Sequence, residues 1–152
     1  AKIDALGNKG KDEPKPALDQ AYQGGVARIV DGALGANGQD AVDPETSVNT
    51  FVMHENQFRT NTGQNPVTKQ EGAYMLARNV LGRGVPLGHP VVAFALAQVP
   101  MPSAVRDGPA IPGARMFDMV RDRWISEAKR LVTGDKFSDE ELGRWFDTNF
   151  RE

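Results

Sequence analysis

Three side chains in this sequence have the types needed for acid–base or metal chemistry: the neighbours His54 and Glu55, and His89. Glu55 is the strongest of them. It follows Phe51 by four residues and Val48 by seven, so on a helix it shares the apolar face of Val48, Phe51, Val52 and Phe58. A carboxyl on such a face is desolvated, which raises its pKa and keeps a proton available near neutrality, as a general acid for glycosidic cleavage requires. The competing reading is a boundary carboxylate at the helix end, turned to solvent or paired with an arginine such as Arg59. His54 lacks the second His four residues on that a metalloprotease helix needs, and His54, Glu55 and His89 together would still want a further well-placed zinc ligand. His89 stands between Gly88 and Pro90, the setting of a turn or cap residue. No metal and no cofactor is expected.

Other chemistries are excluded by what the chain lacks. It has no Cys, which removes disulfides, thiolate zinc sites and cysteine nucleophiles and leaves the redox compartment open. No Gly-x-Ser-x-Gly elbow supplies a serine nucleophile. The glycines of Gly82 to Pro90 have neither the dinucleotide spacing nor a Walker lysine, so that loop reads as a multiple turn. Gly35 to Asp40 lacks the register of a calcium-binding loop. A formal charge of −2, from 18 basic and 20 acidic residues, sets up no field that favours nucleic acid. No run of eighteen apolar residues is present to span a membrane, and no charged-then-apolar leader opens the chain.

The elements that must position these residues are all helical. Asp43 is an N-cap, Pro44 a first helical residue, and a helix carries Glu55 in its last turn before a polar loop from Arg59 to Pro66. Before it, Leu18, Tyr22, Val26, Ile29, Val30 and Ala33 predict an amphipathic helix over 17–34, with Gly24-Gly25 marking a kink or a close helix crossing. After it, Thr68 and Glu71 form a capping box opening a helix striped by Tyr74, Ala77, Val80 and Leu81, with Gly82 placed as a left-handed cap. Arg78 and Arg83 near its exit complement the helix dipole. The apolar run Val91 to Val99 reads as a short buried helix because of its alanines and the preceding Pro90. A proline-punctuated connection, Pro100 to Gly113, is a candidate lid or contact surface.

Phe117, Val120, Trp124, Ala128 and Leu131 predict a long helix over 115–132 closed by Gly134. Phe137, Ser138 and Glu141 then combine a capping box with a hydrophobic staple, opening a helix whose face is Leu142, Trp145, Phe146 and Phe150. That aromatic face is either core or a partner surface, and Trp145, Phe146 and Phe150 are the candidate partner-binding residues. The expected fold is all-α, a single irregular bundle of five or six helices with long Gly/Pro-rich loops. Residues 1–16, rich in Lys and poor in apolar side chains, form a flexible tail or linker, and 17–152 form one helical domain.

Val42-Asp43-Pro44, the helix that follows, Glu55-Asn56-Gln57-Phe58 and the later Gly72-Ala73 together resemble the lytic transglycosylase branch of the lysozyme-like fold. In that family a helix ends in a catalytic Glu followed by Ser, one residue and Phe. The resemblance implies a peptidoglycan-cleaving enzyme with Glu55 as general acid and base. Asn56 stands where the family has Ser, and Tyr74-Met75-Leu76-Ala77 replaces its Gly-Leu-Met-Gln. The leading expectation is therefore a protein–protein interaction module, an accessory or secreted effector domain of bacterial or phage type whose partner is another protein. The alternative is the glycan-cleaving enzyme with peptidoglycan as substrate.

Overall fold

The computed structural model of the protein describes residues 14–102 and 113–150. Regular structure among them is wholly helical, as the periodicity predicts: α1 (Pro14–Leu34), α2 (Pro44–Asn61), α3 (Lys69–Leu81), α4 (Pro90–Gln98), α5 (Gly113–Ala128) and α6 (Asp139–Phe150). No helix among the described residues is long and apolar enough to cross a membrane. The chain divides into two compact units, Ala1–Gly72 and Ala73–Glu152. Most of the Pro100 to Gly113 connection lies outside the described residues.

In the first unit α1 packs against α2. The face of α1 that goes inside is Val26, Val30 and Ala33, and that of α2 is Val48 and Phe51, both fully buried. Burial of each such side chain stabilises by about 1.5–3 kcal/mol for the larger ones, so this seam is what holds the pair. Helix α1 runs through Gly24-Gly25 without interruption, and the close crossing explains one of the two: a Cβ on Gly25 would lie 2.2 Å from Cε1 of His54. Gly35 then takes a left-handed conformation (φ 70°), which L side chains rarely adopt, and the chain turns back so that the Val42 amide donates to the Gly32 carbonyl at 2.8 Å.

Asp43 caps α2 as expected, its Oδ2 accepting from the Thr46 amide at 3.0 Å with Pro44 in the first turn. That bond holds the Asp43 carboxyl below its usual range. The far end of α2 differs from expectation. The helix continues to Asn61, because Thr62 closes it with amide and hydroxyl bonds to the Phe58 carbonyl and the left-handed residue is Gly63 (φ 75°). Glu55 is therefore inside the helix and not in its last turn.

At the end of the first unit Thr68 and Glu71 make the expected reciprocal bonds that start α3. The left-handed residue after α3 is Gly84 (φ 84°) and not Gly82, since amides 82 to 84 first complete a further turn onto the carbonyls of residues 78, 80 and 81. The run Val91 to Val99 is helical, with Val91, Val92, Ala95 and Leu96 buried. Arg78 donates to the Leu131 carbonyl at 2.6 Å, so its role extends beyond the dipole of its own helix. Helix α5 passes into a π-turn, Lys129–Thr133, closed by the Gly134 amide on the Lys129 carbonyl at 2.8 Å. The wider turn shifts the register: Val132 and Thr133 are buried, and Leu131, expected on the stripe, is half-exposed.

Candidate functional site

The residues that could do chemistry meet at the α1–α2 crossing. Val48, Phe51 and Glu55 follow one another at three and four residues, so the packing that buries the first two carries Glu55 inward, leaving it 4% exposed. A buried carboxylate needs partners, and both of its oxygens have one. The Tyr22 hydroxyl donates to Oε1, and Arg59 Nε donates to Oε2 at 2.6 Å from one turn along α2. Arg59 also donates through Nη1 to the Asn65 carbonyl at 3.1 Å, which ties the following loop to the same cluster.

Tyr22 is held by rings on two sides. Its ring stacks on His54 with centroids 5.3 Å apart and planes 8° from parallel, and it packs tilted against Phe58 at 4.3 Å. Burial above all, then the bond to Glu55 and that carboxylate's charge, pushes the Tyr22 hydroxyl well above the ordinary tyrosine pKa, with Arg59 opposing. His54 Nε2 lies 2.9 Å from the Tyr22 carbonyl oxygen. A carbonyl can only accept, so Nε2 carries the proton in this contact. The ring sits where Gly25 has no side chain, which is why the stack and this bond coexist.

Two openings flank the cluster. One is a groove of about 390 Å³ between α1 and α2, walled by Ile29 and Val42, with Gly32, Thr50, Arg28 and His54 around it. The other is a smaller pocket of about 150 Å³ beside Leu18, Tyr22, Phe58 and Asn61. Glu55 lines neither. Both of its oxygens are engaged by side chains, the arrangement of a structural ion pair.

The remaining candidates lie elsewhere. His89 caps α4, its Nδ1 accepting from the Val91 amide at 3.1 Å, and burial lowers its pKa. No group of three or more His, Asp or Glu side chains suited to a metal gathers among the described residues. Trp145, Phe146 and Phe150 surround Trp124 in an aromatic cluster: Trp145 stacks on Trp124 at 5.4 Å and 2°, and Phe150 meets it edge-on at 5.6 Å. Phe146 is 1% exposed, and the other two are half-buried. A polar hollow of about 440 Å³ near Arg121, Lys129 and Asp139 has its charges largely matched, Arg121 with Asp147 at 3.0 Å and Lys129 with Asp139 at 2.9 Å.

Sequence reasoning missed two participants. Tyr22 reads only as one more stripe residue, although Gly25 three positions on signals the close approach that brings it to Glu55. Asn56, which stands at the serine position of the lytic transglycosylase pattern, pins the loop: its Oδ1 accepts from the Val67 amide at 2.7 Å and its Nδ2 donates to the Val67 carbonyl at 3.1 Å. Comparison of the chain with protein-family models, with curated proteins and with solved structures finds no match in any of the three.

Proposed function

We propose that the chain is a helical protein-binding module, of the accessory or effector kind, that receives its partner on the α1–α2 pair. The observation that carries this reading is the engagement of Glu55. With Tyr22 on one oxygen and Arg59 on the other, the carboxylate acts as the tie between two helices, and the groove beside it is walled by Ile29 and Val42. An apolar cleft with a few polar groups at its edge is the usual form of a recognition site. Trp145, Phe146 and Phe150 are the weaker contact candidates, since their rings are engaged with Trp124 or with one another.

The second reading is a lysozyme-like enzyme with Glu55 as general acid and base, acting on peptidoglycan. It is favoured by the burial of that carboxylate and by the small pocket beside its partner Tyr22. Peptidoglycan turnover by the wild-type chain and by Glu55→Gln separates the two, with circular dichroism confirming that both are folded. Negligible release from both is expected. Release by wild type that Glu55→Gln loses would overturn the binding-module reading.

A further inference from the structure

We propose that the α1–α2 groove takes a short acidic segment of a partner protein, an apolar side chain entering between Ile29 and Val42 while a neighbouring carboxylate meets Arg28. This deepens the binding-module reading and rests on it. Two observations on the groove support the choice of occupant. The first concerns Gly32. A glycine within a helix is destabilising relative to alanine, and packing does not demand this one: a Cβ there would meet only Val42 Cγ2, at an ordinary 3.5 Å. Its backbone is not left-handed either. What the missing side chain provides is open space between the apolar walls. Gly25, by contrast, is accounted for by the His54 ring.

The second observation is charge. Among the groove's lining side chains Arg28 is the one that carries a fixed charge, and it is exposed, with no hydrogen bond or ion pair among the described residues. A guanidinium at the lip of an apolar cleft selects a carboxylate by geometry as well as by sign, because its fork of donors fits two oxygens. Thr50 adds a hydroxyl on the opposite wall for the backbone of the segment. The complementary ligand is therefore apolar and anionic at adjacent positions, and a cationic segment would place like charges together.

The test is titration of the isotope-labelled full chain, followed by amide chemical shifts, with three blocked tetrapeptides: Asp-Leu-Leu-Asp, Asn-Leu-Leu-Asn and Lys-Leu-Leu-Lys. The expected result is shifts at Arg28, Ile29 and Thr50, with the Asp peptide binding about two- to fivefold more tightly than the Asn peptide, the range of an exposed ion pair. The Lys peptide is expected to bind most weakly. Arg28→Ala should erase the Asp–Asn difference, and Gly32→Leu should remove the shifts. Gly32→Ala, which the packing accommodates, should weaken binding and covers the case in which the leucine variant does not fold. Equal binding of the Asp and Asn peptides, or tighter binding of the Lys peptide, would overturn the inference and leave the binding-module reading standing. So would shifts produced only by decanoate, or only by raising the concentration of the chain itself. Peptidoglycan release that depends on Glu55 would instead overturn the underlying reading.

Discussion

The hydroxyl of Tyr22 on α1 donates to the carboxylate of Glu55 on α2, a bond between residues 33 positions apart that ties the two helices at their crossing. Among the described residues it is the one hydrogen bond to that carboxylate that comes from another element, since Arg59 approaches from the same helix. Tyr22→Phe keeps the ring stack on His54 and removes only the donor. The expected loss is about 1.5–3 kcal/mol of stability, the range for a bond to a charged group, read as a lower urea midpoint at unchanged slope.

The same pair should make stability depend on alkaline pH. The folded Tyr22 hydroxyl has a pKa raised above the ordinary 10.0, by burial first and by Glu55 second. A raised folded pKa means that the contribution is whole below the unfolded value and is lost as pH climbs through the folded one. Urea midpoints measured from about pH 8 to about pH 11 should therefore fall for the wild type, and Tyr22→Phe should fall less, because tyrosine ionisation begins near the top of that range. Parallel declines would show that Tyr22 does not supply the effect.

Gly24 and Gly25 are adjacent and should respond with opposite signs. A methyl on Gly24 meets nothing nearer than the Arg28 guanidinium at 3.9 Å, so Gly24→Ala should stabilise by about 0.5–1 kcal/mol through helix propensity. A methyl on Gly25 would lie 2.2 Å from the His54 ring, which must then give up its stack on Tyr22 and its bond to the Tyr22 carbonyl. Gly25→Ala should cost about 1–3 kcal/mol, the range for overpacking. Combining it with His54→Ala removes the obstruction, so the measured cost of the pair should be smaller than the sum of the single changes.

His89 should make the second unit acid-sensitive. Only the neutral ring can accept the Val91 amide at Nδ1, and burial lowers the folded pKa below the ordinary 6.5. A depressed folded pKa means that the contribution is whole above the unfolded value and is lost as pH falls through the folded one. Asn caps a helix without titrating, so His89→Asn should show a flatter stability profile below about pH 6.5 than the wild type. Identical acid limbs in thermal melts would count against the cap as the cause.

The helices, the capped starts and most of the buried faces were legible in the sequence because each rests on local chemistry, whereas α1 starts at Pro14, inside the stretch read as tail. Asp43 and the Thr68 and Ser138 boxes bond backbone amides within a turn, and apolar side chains recur at a fixed spacing that one helix surface enforces. Helix ends were less legible. Gly82 and Gly84 are both suitable left-handed caps by residue type, and only the completed turn chose the second. The π-turn after α5 leaves no local signature, and it is what exchanged Leu131 for Val132 on the buried side.

For the site, the sequence alone determined that Glu55 lies on the inward face of an amphipathic helix, with Arg59 one turn away as an available partner. Two possibilities followed from that placement, an acid facing a cleft and a structural ion pair, and nothing local separates them. The tertiary structure decided the partners. Gly25 lets α1 approach closely enough for the Tyr22 hydroxyl to reach the second carboxylate oxygen, a contact set by two helices crossing and by no spacing along either one.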